Sequence, residues 1–337
     1  MFKNLTLYRI GPGWAPSLEA MESALDEQRF VPCGASQDKS VGWTEPRGEA
    51  HGPLVESVNQ QRIVKLTIET KAVPGAVVRK KADEAAAHIE ATTGRKPGKK
   101  ETKALREDAL QALLPQAFAR QGSVLVWIDP DSGILATDAS SQARLDEVVS
   151  ALVQAFPSLQ LSLLNTQITP QTAMTGWLST TDTDEWPAGF AVERECELKS
   201  ADEEKSVVRY TRHHLLNDEV RLHLQQGKRP TRLAMSWEGR IVFTLSESMQ
   251  LRKLTFLEGV FEDRPQDDEK GFDTDVALAT GELQKLIPAL IEALGGELAP
   301  GEFPGGLASE AATSPTSTPA GATNTLASTA DDDGPPF

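Results

Sequence analysis

Residues 231–248, TRLAMSWEGRIVFTLSES, decide the fold. The stretch reads as a β-hairpin reversing at Glu238-Gly239, because apolar and polar residues alternate on both arms around a glycine-containing turn. A hairpin commits this part of the sheet to antiparallel pairing. Outward from it, 250–256 (QLRKLTF), 190–198 (FAVERECEL) and 206–213 (SVVRYTRH) read as further strands. Between them, 217–227 is a short helix, with Asn217 placed to cap it and Gly227 to stop it. Nearer the N-terminus, 2–10 (FKNLTLYRI) and 62–73 (RIVKLTIETKAV) are predicted strands, the second ending at Pro74. Residues 123–137 (SVLVWIDPDSGILAT) are two strands about an Asp-Pro-Asp-Ser-Gly turn. Helical spacing marks 17–30 through Leu18, Met21 and Leu25, 75–94 through Val78, Ala82, Ala85 and Ile89, 99–114, and 141–156 through Leu145, Val148 and Leu152. The last helix, 273–296, presents Leu283, Leu286, Ile287, Leu290 and Leu294 on one wide face, with Pro288 as a candidate kink. Strands interrupted by helices without a βαβ rhythm predict an α+β fold with mixed, mostly antiparallel sheets.

The chain has 337 residues, which suggests about two folded units. It holds no apolar run long enough to span a membrane, and its opening residues do not form a signal peptide, so cytoplasm is expected. Cys33 and Cys196 are too far apart for a metal knuckle and too few for a disulfide framework; both are expected to be buried small hydrophobes. The formal net charge is −15. From Ala299 onward there are five acids and no Lys or Arg, so residues 1–298 carry −10. A polyanionic partner would be repelled by that field unless a concentrated patch of cations met it within a Debye length.

Such a patch exists. Between Arg79 and Arg106 lie nine cations (Arg79, Lys80, Lys81, Arg95, Lys96, Lys99, Lys100, Lys103, Arg106) against four acids, a local charge of +5. Residues 94–100 (GRKPGKK) join two helices here, so the segment is a projecting helical hairpin. Lys99, Lys103 and Arg106 share one face of the second helix, and Leu110, Leu113 and Leu114 continue that azimuth. A face basic at its free end and apolar at its root describes an arm anchored in a core. The plain alternative is a solvated surface hairpin. The functional reading is contact with phosphates and no base readout, since lysines neutralise backbone and no recognition helix is apparent.

Five stretches together carry a family resemblance: FKNLTLYRI, FVPCGASQDKSVGW (30–43), LLPQAFAR (113–120) running into VWID, TRLAMSWEGRIVF, and FDTDVALATGELQKLIPALIEALGGE (272–297). From about Met1 to Glu297 the chain resembles the bacterial recombination-associated RdgC family. The resemblance implies a horseshoe-shaped subunit pairing into a ring dimer around double-stranded DNA. It further implies a cytoplasmic, nucleoid-associated protein that binds without sequence preference and modulates homologous recombination by opposing RecA filament formation and strand exchange; preference between double and single strands stays open. Two positions carry over. Phe118 corresponds to an aromatic at the family's subunit contact, with ordinary core as the alternative. In 207–215 (VVRYTRHHL) the family shows a Lys-Gln pair facing DNA where this chain has Arg212 and His213, with Arg209 beside them. Positive charge survives at Arg212; no role follows for His213.

No catalytic residue, metal or cofactor is predicted. GRKPGKK lacks the spacing of a phosphate loop. The paired carboxylates of DPDSG (129–133) and FDTD (272–275) could suit a metal-dependent nuclease, but turn and cap chemistry explains them. His213, His214 and His223 lack a matching Cys or carboxylate. The expected organisation is an N-terminal α+β part (1–74), the arm (75–122), the α+β remainder (123–297) and a disordered tail (298–337). The tail's end, DDDGPPF, resembles the acidic tip of bacterial single-stranded-DNA-binding proteins through Asp331, Asp332, Asp333, Pro336 and Phe337, although Gly334-Pro335 departs from it. The alternative function is therefore an open adaptor that binds DNA with the arm and docks its tip on repair or replication proteins. Charge screening of the arm by the tip and an inert solubilising end are the other readings.

Overall fold

The computed structural model describes residues 2–139, 141–180, 186–261 and 271–299, together with Asp182 and Glu302. The chain divides into two units, Met1–Gly305 and Gly306–Phe337, and every described helix and strand belongs to the first. Its elements run β1 (Leu5–Ile10), α1 (Leu18–Asp26), β2 (Lys39–Thr44), β3 (Glu56–Val58), β4 (Gln61–Lys71), α2 (Gly75–Thr93), α3 (Lys99–Leu113) and a 3-10 turn (Leu114–Gln116). Beyond that turn come β5 (Ala119–Asp129), β6 (Ile134–Thr137), α4 (Gln142–Ala155), β7 (Leu161–Leu163), α5 (Pro170–Ser179), β8 (Phe190–Ser200), β9 (Val207–Thr211), α6 (Asp218–Gln225), β10 (Lys228–Trp237), β11 (Ile241–Ser246), β12 (Gln250–Phe256), α7 (Glu258–Phe261) and α8 (Gly271–Ala293).

The hairpin that fixes the class is β10–β11, registered from Arg232↔Ser246 to Trp237↔Ile241. Glu238 and Gly239 both take positive φ, 47° and 63°, and Arg240 N–H closes the reversal on Trp237 O at 2.9 Å. That backbone twist matches the twist of the strands it joins. The strands form one sheet in the order β2-β4-β5-β6-β1-β12-β11-β10-β8-β9, with β3 against β4 and β7 against β1. Every ladder among the described residues is antiparallel, and one parallel bridge, Arg29↔Trp43, stands apart from them. The α+β class is thus as expected, with one continuous sheet in place of several.

Alternation of side chains distributes the core over both faces of this sheet. One cluster gathers Met21 and Leu25 of α1, Leu145, Val148 and Leu152 of α4, and the residues of β4 and β5 that point their way, such as Val64, Leu66, Val124 and Val126. The other takes the alternate residues Ile63 and Trp127 together with α5, α6, α8 and the inner residues of β8–β12. The α8 face Leu283, Leu286, Ile287 and Leu290 is fully buried there, as is Leu294 just past the helix, which runs through Pro288 to Ala293. Among the described residues no helix is long and apolar enough to cross a membrane.

Two expectations need correction, and several elements were not expected at all. Cys196 is buried, but Cys33 is only half-buried, because β2 and the segment before it lie at the margin of the sheet. Leu18 is exposed, so the packed stripe of α1 is Met21 and Leu25 alone. Helix α5 goes unread in the sequence: PQTAMTGWLS contains no charged residue, so no polar stripe marks its outer face, yet Thr169 caps it and Met174, Trp177 and Leu178 are buried. The short strands β2, β3 and β7 are also missed. In β2 the reason is Gly42, where a Cβ would stand 2.5 Å from Phe30 Cα. Only glycine allows residues 28–30 to cover this edge of the sheet, through Trp43 N–H to Gln28 O at 3.0 Å and Phe30 N–H to Trp43 O at 2.9 Å.

Candidate nucleic-acid interface

The basic arm, α2 and α3, is an insertion between neighbouring strands. β4 and β5 pair from Arg62↔Ile128 to Lys71↔Ala119, so the ladder itself brings the two ends of the insertion together. At the far end Gly94 adopts φ 71° and its N–H bonds Glu90 O at 2.9 Å, closing α2 with a left-handed cap. Glu101, in the first turn of α3, accepts from Gly98 N–H at 2.9 Å and from both terminal nitrogens of Arg95 at 2.8 and 2.7 Å. Arg95 foremost, and then the Gly98 amide, hold the Glu101 carboxyl down at about 2. A depressed carboxyl supports the folded tip fully above its ordinary value near 4.5 and loses that support as pH falls towards 2. A carbon-detected NMR titration should therefore find the Glu101 midpoint near 2 in the intact protein and higher in Arg95→Ala, still below the ordinary value because the Gly98 amide remains. An ordinary midpoint in the intact protein would show that the clasp does not form.

All nine arm cations are exposed. Arg95 faces Glu101, Lys96 faces Glu90 at 3.9 Å and Lys103 faces Glu107 at 3.7 Å. Arg79, Lys80, Lys81, Lys99, Lys100 and Arg106 make no ion pair among the described residues. The two lysine pairs, at 3.9 and 3.7 Å, contribute little, whereas Arg95 is engaged by Glu101 through both terminal nitrogens; most of the positive charge is therefore available to a polyanion. Between the helices Arg79, Lys103 and Arg106 border a shallow groove floored by Val73, Val78 and Leu110. The seam beneath is thin: Ala82 and Ala109 are the only buried residues of the two helices.

Arg209, Arg212 and His213 are placed elsewhere. β9 is the edge strand at the opposite end of the sheet from β2 and β4, so one chain does not bring them beside the arm. All three are exposed. Arg209 Nε meets Glu197 at 2.6 Å, Arg212 has φ 55°, and His213 lies with its ring 5.3 Å from that of Tyr210 and its Nδ1 2.8 Å from His214 O. Phe118, just before β5, is 94% exposed, which excludes ordinary core. The tip residues Asp331, Asp332, Asp333, Pro336 and Phe337 lie outside the described residues.

The paired carboxylates serve local structure. Asp129 Oδ1 accepts from Asp131 N–H at 3.1 Å and Ser132 N–H at 3.3 Å, and Asp273 pairs with Arg47. Among the described residues no three His, Cys, Asp or Glu are grouped to hold a metal ion. A scan for charge runs misses cations that arrive singly, one per strand. Arg232, Arg252 and Lys253 are of that kind; they share a cavity with Arg209. The signal was present as basic residues at the outward positions of alternating strands.

The fold and the charge distribution define an α+β protein with a single antiparallel sheet and a cationic helical arm. Residues 1–297 match the family model described as "Putative exonuclease, RdgC". The chain is 42% identical over 303 residues to the recombination-associated protein RdgC of Dechloromonas aromatica, covering 88% of this chain and 98% of that one. It is also 42% identical over 301 residues to the RdgC of Herminiimonas arsenicoxydans, with 88% and 99% covered, and 37% identical over 300 residues to that of Bordetella pertussis, with 88% and 98% covered. The chain belongs to the RdgC family.

Proposed function

We propose that this protein is a non-sequence-specific double-stranded DNA-binding protein, not an enzyme, that closes around DNA as a ring dimer of horseshoe-shaped subunits. On the nucleoid it modulates homologous recombination by opposing RecA filament formation and strand exchange. The observation that carries the reading is the exposure of nine cations on an arm of charge +5 within a body of −10. Two copies of that patch turned inward would reconcile an acidic protein with a polyanionic ligand. The relatives from Dechloromonas and Herminiimonas are called recombination-associated, which supports the same reading. Retention on closed circular duplex, compared with linear duplex of equal length at rising salt, tests it. An encircling dimer stays on circles and slides off free ends; equal loss from both would leave an open binder. The family description names an exonuclease. Incubation of end-labelled duplex with Mg²⁺ is expected to release no nucleotides, and release would refute the non-enzymatic reading.

Phe118 is assigned to the subunit contact. An aromatic ring 94% exposed costs the isolated chain little to lose but can anchor a partner. Phe118→Ala is expected to change chain stability by less than about 0.5 kcal/mol while lowering the dimer fraction in sedimentation. Loss of stability with an unchanged dimer would sink the assignment.

The chemistry of DDDGPPF favours a second reading, in which the protein also serves as an adaptor for proteins that bind the tail of single-stranded-DNA-binding protein. Removal of residues 331–337 should then abolish co-purification with such proteins and leave duplex binding intact.

A further inference from the structure

At the end of the sheet opposite the arm lies a cavity that the proposed function does not use. The arm leaves the β4–β5 ladder at Lys71 and Ala119, whereas β5 turns into β6 at the far end, between Asp129 and Ile134. Three backbone segments meet there. Ile10 N–H bonds Gly133 O at 2.9 Å, and Gly11 N–H bonds Gln160 O at 2.8 Å. Gly11 permits this close join, because a Cβ in its place would stand 2.9 Å from Gln160 Cβ. Between the segments is a space of about 660 Å³, walled mainly by Ile10, Pro12, Trp14, Pro130 and Leu161. That size falls in the range of roughly 300–1,000 Å³ typical of ligand pockets. Trp14 is half-buried and meets Phe156 edge to face, with ring centroids 5.6 Å apart at 76°, so its indole is a fixed part of the wall.

The cavity asks for a neutral, apolar occupant. Its one cation, Arg9, is consumed: Nε donates to Glu297 Oε1 at 2.8 Å, Nη2 to Glu297 Oε2, and Nη1 to Ser132 O. Asp131, the other charged residue of the lining, is exposed at the rim. The same Arg9–Glu297 pair brings the end of the folded chain to this place. Glu297 forms an antiparallel bridge with Thr166, and Leu298 N–H bonds Asn165 O at 3.0 Å, just beyond the strand β7 whose Leu161 and Ser162 line the cavity. Glu302 N–H then bonds Ala299 O at 3.0 Å, and Glu302 Oε2 accepts from Ala299 N–H at 3.1 Å. A four-residue turn keeps its ends within about 7 Å, and one further residue adds at most about 3.6 Å. Residue 303 therefore starts within about 11 Å of Ala299, beside the Arg9 wall.

We propose that this cavity is the docking site of the chain's own Phe303 and Pro304, which strap the end of the sheet opposite the arm. Both lie outside the described residues and belong to the same unit as the sheet. Phe303 is the only large apolar residue between Leu298 and Leu307. Its ring suits a wall of Trp14, Ile10 and Leu161, since aromatic pairs gain from offset or edge-on contact as well as from burial. Pro304 restricts Phe303 to extended backbone, so the pair loses less freedom on docking than two ordinary residues would. Prolines also pack well on an exposed indole. The strap is independent of DNA binding, because it uses none of the arm cations.

The test is fluorine NMR of the full chain labelled with fluorotryptophan, in which Trp14→Phe assigns the Trp14 signal among the six. Phe303→Ala should shift the Trp14 signal and leave the other tryptophans in place. Phe303→Leu, which keeps an apolar side chain, should shift it less. A free peptide of sequence EFPGG should return the Trp14 signal of the alanine variant towards its original position. Wild type should resist the same peptide up to the order of millimolar, the effective concentration of a short tether. A Trp14 signal indifferent to Phe303→Ala overturns the proposal, and so does movement of every tryptophan, which would mean a change of fold. If the peptide moves the wild-type signal as readily as that of the variant, the cavity is open to outside chains and its own segment is not the occupant. If the wild-type signal depends on protein concentration, the occupant comes from a second copy. Either result also overturns the proposal.

Discussion

Replacing Lys99, Lys103 and Arg106 with glutamate is expected to lower duplex affinity by on the order of 10²–10³-fold near 0.1 M salt and to reduce the salt slope by about three. All three side chains are exposed, and among the described residues only Lys103 has a carboxylate within ion-pair distance, Glu107 at 3.7 Å. Each neutralised phosphate contributes about 0.9 to the slope, so three lost contacts account for the change before any repulsion from the new carboxylates is added. The helix itself should survive. Glutamate forms helix about as well as lysine, and at Lys99, the first residue of α3, a negative charge suits the end of the helix dipole. Circular dichroism should therefore be unchanged while anisotropy titrations lose the signal. Unchanged affinity and slope would remove the arm as the contact, and with it the main support for the proposed function.

Trp127→Ala should destabilise the fold by about 3–5 kcal/mol. Trp127 is 1% exposed near the end of β5, with its ring 6.4 Å from that of Phe2. Its Nε1–H donates to Gln61 Oε1 at 2.8 Å, Gln61 Nε2 reaches Asp129 Oδ1 at 3.4 Å, and Gln284 of α8 donates to Asp129 Oδ2 at 3.1 Å. This chain of bonds ties β4, β5 and α8 together. Burial alone would raise the Asp129 carboxyl, but the hydrogen bonds from Gln284, Ser132 and Gln61 bring it below its ordinary value. Truncation thus opens a cavity and leaves a buried acceptor on Gln61 without its donor. Trp127→Phe retains most of the ring and should cost only about 1–3 kcal/mol, the penalty of the orphaned acceptor. Urea midpoints would show both losses at constant m; equal stability of all three proteins would place Trp127 outside the core network.

The sequence made legible whatever is written in local periodicity. The β10–β11 turn, the capped α6, the α8 leucine face and the arm with its Gly94 stop all follow from residue spacing and match the structure. Elements without a two-sided pattern did not announce themselves: α5 has no charged residue, β2 contains Gly42, and β3 and β7 are only three residues long. The candidate site divides in the same way. Nine cations clustered within 28 residues are visible as a run. Arg232 and Arg252 become neighbours of Arg209 only because antiparallel pairing lays β9, β8, β10, β11 and β12 side by side, and no count along the chain reveals that.

The Lys71↔Ala119 pairing gives the arm an unusual independence. The two strands that carry it would meet at the same place if residues 72–118 were replaced by a tight β-turn, so the insertion behaves as an exchangeable graft on a finished scaffold. A shortened chain of that kind should keep its cooperative unfolding while losing duplex affinity. Natural selection could then alter the length or cation content of the graft, and so tune the grip on the ligand, without renegotiating the packing of the sheet.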